Sequence, residues 1–98
     1  MKHFLLFYDY EADYAQRRAP HRPAHLELAR ASAARDELQL GGAVGGEPPI
    51  GLLLFKGESP AVAEAFARAD PYVTQGVVKA WRVREWITVV GEAALTKL

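Results

Sequence analysis

The sequence predicts a single α+β domain in which two helices cover one face of a four-stranded antiparallel sheet. The chain has 98 residues, a length that suits one domain over residues 1–98. Half of the residues are hydrophobic and 24% are charged, as in ordinary globular proteins. Segments typical of strands and helices follow one another in the order strand, helix, strand, strand, helix, strand. Together these observations predict the fold class.

The first half of the chain contains a predicted strand, a polar connection and a predicted helix. Residues 2–8 are apolar at nearly every position and rich in aromatic residues, a pattern typical of a buried strand. Residues 9–22 are polar and broken by Pro20. Residues 24–37 contain no Gly or Pro and consist mainly of Ala, Leu, Glu and Arg, which predicts a helix with Pro23 at its first position.

Two strands come next in the chain. Residues 38–44 alternate weakly and run into Gly41 and Gly42, which indicates a strand with a bend or a close backbone approach. Residues 45–49 are Gly and Pro with one Glu, so they form a loop. Residues 51–56 contain four consecutive apolar side chains and predict a strand that is buried on both faces.

The second helix and the last strand complete the pattern. Ser59 is the expected N-cap of a helix whose first position is Pro60 and whose apolar stripe is Val62, Phe66 and Ala69. The helix should end at the Asp-Pro pair of residues 70–71, because the residue before a proline is pushed out of helical geometry. Residues 77–90 supply the last strand.

The element order is that of the ferredoxin-like fold, in which both helices lie on one face of the sheet. The first strand is nevertheless apolar on both faces, with residues 3, 5 and 7 on one and residues 4, 6 and 8 on the other. An antiparallel sheet with one wet face normally alternates polar and apolar residues. We therefore expect a homodimer in which the second apolar face packs against another copy of the chain.

Charge and composition exclude several classes of protein. Twelve Lys and Arg residues balance twelve Asp and Glu residues, so the basic surface of a nucleic-acid binder or a polybasic membrane anchor is not expected. The chain has no cysteine, which excludes disulfides, thiolate catalysis and Cys-ligated metals. The apolar run at residues 4–8 is far shorter than a membrane span, and no signal-peptide pattern is present. A cytoplasmic location is expected.

His25 is the leading candidate for acid–base chemistry. It lies in the first turn of the predicted helix, where the positive end of the helix dipole disfavours a charged imidazole and leaves a neutral ring to accept a proton. The alternative is a structural histidine bonded to the backbone or to a carboxylate. His21 precedes it by four residues, as in metal-binding pairs, but Pro23 lies between them and no third ligand is indicated. No metal or other cofactor is therefore predicted.

Asp70 is the candidate partner of His25. At the negative end of the second predicted helix an acidic group is unfavourable unless another group compensates for it. Asp70 is then either a turn residue before Pro71 or a carboxylate that orients an imidazole. Arg18 and Arg22 precede the first helix and are candidates to bind an anionic ligand, with solvated surface arginines as the alternative.

Several motifs together resemble one known family. RPAHL at residues 22–26, LGGA at 40–43, DPYV at 70–73 and WITVVG at 86–91 are similar in sequence and spacing to the YciI-like (YCII-related) family, over nearly the whole chain. The resemblance implies a dimeric α+β barrel and an enzyme whose His–Asp pair corresponds to His25 and Asp70. Some relatives are associated with the breakdown of chlorinated aromatics. Many relatives have Gly-Pro where this chain has Gly42 followed by Ala43, at the expected rim of the pocket.

Two functions of different classes follow. The first is a small-molecule enzyme that performs elimination, isomerisation or hydrolysis by general acid–base chemistry on a small polar or aromatic ligand. Its acid–base pair would be His25 and Asp70, which we expect to lie within hydrogen-bonding distance or one water apart. The expected ligand contacts are Arg18, Arg22, Tyr8 and Gly42. The alternative is a non-catalytic dimeric protein that binds a small ligand or serves as an accessory protein.

Overall fold

One sheet of four antiparallel strands organises the computed structural model, which describes residues 1–98. Along the sheet the strands have the order β2-β3-β1-β4, as in ferredoxin-like folds, and every neighbouring pair is antiparallel. The strands are β1 (Lys2–Tyr10), β2 (Leu38–Val44), β3 (Ile50–Gly57) and β4 (Val78–Trp86). The predicted α+β, ferredoxin-like fold is confirmed.

Helices fill the two long connections. The β1–β2 connection contains α1 (Tyr14–Arg18), a 3₁₀ turn (Ala19–His21) and α2 (Arg22–Ala34), and the β3–β4 connection contains α3 (Ala61–Ala69) and α4 (Pro71–Thr74). None of the helices has the length and the apolar composition of a membrane-spanning segment. The cytoplasmic location expected from the sequence stays a prediction.

The core lies between the helices and one face of the sheet. The alternate β1 residues Phe4, Leu6 and Tyr8 are at most 1% exposed. They pack in one cluster with Leu53 and Phe55 of β3 and with buried side chains of α3 and α4. We call this side of the sheet the helix face and the opposite side, which carries residues 3, 5 and 7 of β1, the open face.

The first connection is more helical than predicted. Pro20 and Pro23 each fall in the first turn of a helical segment, where a missing N–H costs little, so neither interrupts the path from α1 to α2. α2 therefore begins at Arg22, one residue before its predicted first position.

The end of α2 is a Schellman motif three residues before the predicted end. Asp36 has a left-handed φ of 64°. The N–H of Glu37 donates to the Ser32 carbonyl at 3.1 Å, and the N–H of Asp36 donates to the Ala33 carbonyl at 3.0 Å. The helix stops at Ala34 because these bonds satisfy its last carbonyls.

Two further boundaries differ from the prediction. β1 continues to Tyr10, and β4 stops at Trp86 rather than at residue 90. The second difference follows from pairing, since Trp86 lies opposite His3 and only Lys2 of β1 remains beyond that pair. In α3 the buried side chains are Ala63, Phe66 and Ala67, whereas Ala69 of the predicted stripe is exposed.

The start of α3 also differs by one residue. The helix begins at Ala61, and Pro60 occupies the N-cap position that was predicted for Ser59. The Ser59 hydroxyl still accepts the N–H of Ala61 at 3.3 Å, so it supplies the expected capping bond from one position earlier.

Candidate functional site

A cleft of about 320 Å³ lies on the helix face between α2, β2 and the centre of the sheet. Tyr8 and Tyr10 of β1 line it together with Leu53 of β3, and α2 contributes Leu26 and Ala29 among others. Most of the lining side chains are hydrophobic. A concave, mainly apolar space with a few polar groups is the usual form of a small-molecule site.

His25 places its imidazole in the wall of this cleft. Its Nδ1 lies 2.9 Å from both carboxylate oxygens of Asp70, so the two side chains are as close as the sequence analysis expected. Because a carboxylate can only accept, Nδ1 carries the proton and Nε2 is left as the acceptor of the ring. Nε2 makes no hydrogen bond within the protein.

The His25 ring is also held by an aromatic neighbour. It stacks on the ring of Tyr72 with 3.9 Å between centroids and 4° between planes. The ring edge of His25 is thus fixed by Asp70 and its face by Tyr72. Two restraints of this kind keep one tautomer and one orientation of the imidazole.

Asp70 is completely buried and accepts three kinds of hydrogen bond. Its donors are the Tyr8 hydroxyl at 2.6 Å, His25 Nδ1 at 2.9 Å and the backbone N–H of Tyr72 at 3.0 Å. The expectation of an unfavourable helix C-terminus is corrected here, since Asp70 is also the N-cap of α4. Its carboxylate satisfies a free N–H at the start of that short helix, which makes the position favourable.

The Tyr8 hydroxyl forms its hydrogen bond within the protein. The side chain lines the cleft, but its O–H donates to Asp70. Burial first and the neighbouring Asp70 carboxylate second raise the pKa of Tyr8 far above its usual range, so the hydroxyl remains a donor. The predicted contact between Tyr8 and a ligand stays a prediction.

The other predicted ligand contacts also line the cleft. Arg18 ends α1, Arg22 begins α2, and Gly42 lies in the middle of β2. Neither arginine takes part in an ion pair, and the Arg18 guanidinium lies 5.5 Å from the centroid of the Tyr14 ring. No acidic side chain lines the cleft. The cleft therefore presents two guanidinium groups that no ion pair engages.

The remaining histidines lie elsewhere. His21 is in the 3₁₀ turn outside the cleft, and His3 is on the open face, where its Nδ1 lies 2.7 Å from the Thr88 hydroxyl. Nowhere do three His, Asp or Glu side chains converge as metal ligands would.

Two tyrosines of the site were not found from the sequence. Tyr10 follows Tyr8 by two positions and so shares its face of β1, but the predicted strand ended too early to include it. Burial first, and then the neighbouring Tyr72 and Tyr14, raise the pKa of Tyr10. Tyr72 lies within the DPYV motif at residues 70–73, where its ring supports His25.

The fold and the site together define a small α+β domain with a buried aspartate that holds a histidine at the wall of a cleft. The chain belongs to the YCII-related domain family, whose model matches residues 1–87. This confirms the family resemblance read from the sequence motifs. No curated protein sequence is similar enough to this chain to count as a relative.

Solved structures with a similar fold include the following two proteins. The 5-chloro-2-hydroxyhydroquinone dehydrochlorinase TftG from Burkholderia phenoliruptrix AC1100, in complex with 2,5-dihydroxybenzoquinone, is 23% identical with a TM-score of 0.75, and the match covers 94% of this chain and 98% of TftG. The C-terminal domain of the MgtC protein from Mycobacterium tuberculosis is 19% identical with a TM-score of 0.51, covering 99% of this chain and 95% of that domain. At these identities the similarity is one of fold.

Proposed function

We propose that the protein is a small-molecule enzyme in which His25 is the general base and acid and Asp70 positions its ring. The observation that carries the proposal is the 2.9 Å contact between His25 Nδ1 and the buried Asp70 carboxylate, at the wall of a cleft. This contact leaves Nε2 to exchange a proton with a bound ligand. A positioned group of this kind contributes about 10²–10⁴ in rate.

The proton moves between Nε2 and the ligand. Nε2 takes a proton from a ligand C–H or O–H bond, and the electron pair of that bond stays on the ligand. In an isomerisation the pair shifts along the ligand and Nε2–H returns the proton to another carbon. In an elimination the pair forms a double bond as the leaving group departs with its bonding electrons. The Asp70 carboxylate balances the positive charge of the imidazole while it holds the second proton.

Size and charge of the cleft support a small anionic ligand with an apolar body. About 320 Å³ is roughly twice the ~150 Å³ of a cavity that holds benzene. Arg18 and Arg22 provide guanidinium groups that match the planar oxygens of a carboxylate or a similar anion. The fold similarity to TftG, solved with 2,5-dihydroxybenzoquinone, supports that acidic quinone as the first compound to test.

Deuterium exchange of this quinone tests the proposal without knowledge of the natural substrate. In D₂O, an acid–base site replaces the ring C–H hydrogens by deuterium, which ¹H NMR follows directly. We expect the wild-type protein to accelerate exchange and His25→Gln to lose about 10²–10⁴ of that acceleration. His21→Gln is the matched control, because His21 lies outside the cleft and should leave the rate unchanged.

The outcomes separate the two classes of function. Full exchange activity in His25→Gln contradicts the proposed base. Binding of the quinone by the wild-type protein without accelerated exchange favours the alternative, a non-catalytic ligand-binding protein.

We also propose that the open face of the sheet packs against a second copy of the chain. Leu5, Leu52 and Leu54 lie on this face around a shallow apolar depression, and Leu40 and Trp86 at its edges are 73% and 48% exposed. Contact between two such faces removes this apolar surface from water without another partner. Stable interfaces of this type bury roughly 2,000 Å² or more in total.

Sedimentation velocity at micromolar concentration tests the homodimer. We expect a dimer for the wild-type protein and a monomer for Leu40→Lys, which places a charge in the proposed interface. Ala65→Lys, on the exposed side of α3, should remain dimeric. A folded wild-type monomer at these concentrations contradicts the proposal.

A further inference from the structure

The Tyr72 hydroxyl is a buried donor that the protein does not use. It is the only buried side-chain polar atom of the structure without a hydrogen-bond partner, although Tyr72 is only 3% exposed. Buried hydroxyls are nearly always paired, because leaving one unpaired costs free energy. In the wall of a site, an unpaired group of this kind is available to a partner from outside the chain.

The position of Tyr72 ties this hydroxyl to the acid–base pair. Its ring stacks on His25, and its backbone N–H donates to the same carboxylate that holds the His25 ring. Tyr72 lines the cleft together with His25. The Tyr8 hydroxyl differs, since Asp70 already accepts it at 2.6 Å. Of these two buried hydroxyls, only that of Tyr72 has no hydrogen-bond partner in the protein.

We propose that the Tyr72 hydroxyl is a specificity-determining group that hydrogen-bonds an oxygen of the ligand, so that the cleft selects small ring anions carrying a second oxygen function. The inference rests on the proposed function, since it assumes that the cleft holds the ligand on which His25 acts. Arg18 and Arg22 bind the anionic group through charge. Tyr72, a neutral group, discriminates between rings with and without the second oxygen.

The buried position of this hydroxyl means that the site must move before a ligand can bind to it. Its oxygen exposes less than 1 Å², so a ligand atom reaches it only after a side chain of the cleft moves. Arg18 and Arg22 are the longest side chains that line the cleft, and no ion pair holds either of them. The proposal therefore requires that an anion drawing these guanidinium groups also opens the wall in which Tyr72 lies.

Paired probes measure the discrimination. Calorimetric titrations with benzoate and with 2-, 3- and 4-hydroxybenzoate compare the same anion with and without a second oxygen at three positions. We expect the wild-type protein to bind its preferred hydroxybenzoate about fivefold or more tightly than benzoate, as one added hydrogen bond allows. Tyr72→Phe should lose the preference, so that the ratio of its affinities for that hydroxybenzoate and for benzoate falls to about one.

Tyr14→Phe is the matched control for the titrations. Tyr14 stacks on Tyr10 at 4.5 Å but does not line the cleft, so this variant should keep the preference. A preference retained by Tyr72→Phe overturns the assignment. Equal affinity of the wild type for all four probes, or binding of none of them, overturns it as well.

Thermal unfolding supplies a test that needs no ligand. Tyr72→Phe should melt at or above the wild-type temperature, because the hydroxyl that it removes has no protein partner. Tyr8→Phe should melt at a lower temperature, because Asp70 loses a donor. If the melting temperature of Tyr72→Phe falls as far as that of Tyr8→Phe, the Tyr72 hydroxyl has a structural partner and the proposal is overturned.

The proposed function can fail separately from this inference. Its test is the His25 dependence of deuterium exchange in the quinone, which is measured separately from the hydroxybenzoate titrations. If exchange depends on His25 but the protein does not discriminate between benzoate and the hydroxybenzoates, only the role of Tyr72 is contradicted. If Tyr72 discriminates between these ligands but exchange does not depend on His25, only the acid–base function is contradicted.

Discussion

The two faces of the sheet are built from the same strands but are completed in different ways. On the helix face, Phe4, Leu6 and Tyr8 of β1 are at most 1% exposed beneath the helices. On the open face, the neighbouring Leu5 and Phe7 remain half-buried, and Leu40 at the sheet edge is 73% exposed. The helices of the chain therefore cover one apolar face of the sheet and leave the other apolar face uncovered.

The position of the site follows from this difference. The helix face carries the buried Asp70 and its donors, where exclusion of water strengthens each hydrogen bond. The open face carries Asp9, whose ion pair with Arg82 at 3.3 Å is largely exposed. The same residue type thus holds a histidine on one face and forms a surface ion pair on the other.

The largest expected contrast comes from two adjacent leucines on β3. Leu53→Ala removes a side chain that is 6% exposed on the helix face, and we expect it to lower the free energy of unfolding by about 2–5 kcal/mol. Leu54→Ala on the open face should cost less in the monomer and should weaken the proposed dimer. Urea unfolding at several protein concentrations separates the two effects. If both variants lost the same free energy of unfolding at every protein concentration, the two faces would not differ in the way proposed.

A smaller contrast is expected between two Asp→Asn variants. Asp70→Asn replaces a fully buried carboxylate by an amide that cannot accept all of its donors, and should cost about 1–3 kcal/mol. Asp9→Asn should cost less than about 1 kcal/mol, as exposed ion pairs do. Chemical unfolding at neutral pH measures both. A loss in Asp9→Asn that matched the loss in Asp70→Asn would mean that burial does not decide these contributions.

The smallest expected effect concerns His3, a buried polar side chain on the open face. Burial first, and the charge of Lys56 second, lower the pKa of His3 below its usual value near 6.5. Below that value the unfolded chain binds a proton that the folded protein does not bind. Stability linked to His3 is thus present above pH 6.5 and is lost as the pH falls through and below it.

His3→Gln removes this linkage. The wild type should therefore lose more stability than the variant as the pH is lowered from about 7.5 to about 5.5, as unfolding curves across that range would measure. The sheet would be insensitive to His3 protonation if the two stability profiles ran parallel. His3 is 3% exposed, and its Nδ1 lies 2.7 Å from the hydroxyl of Thr88, in the segment of residues 87–94 that lines a depression together with His3.

Boundaries of elements were predicted less well than the elements themselves. Pro20 suggested a break in the first connection, but it lies at the start of the 3₁₀ turn, where proline is tolerated. The end of β4 depends on where its partner strand β1 begins, and the sequence around β4 does not contain this information. Asp36 ends α2 in a left-handed conformation more typical of glycine, so composition alone placed the helix end three residues too late.

Composition and periodicity by themselves determined the four strands, the two helical connections and the apolar second face, because each depends on residues close together in the chain. Sequence motifs also singled out His25 and Asp70 through a family resemblance. Only the tertiary structure decided what surrounds that pair. The bond from Tyr8 to Asp70 spans 62 positions, and the stack of Tyr72 on His25 joins α4 to α2. Such contacts depend on strand register and helix packing, so the unpaired Tyr72 hydroxyl is visible only in the folded chain.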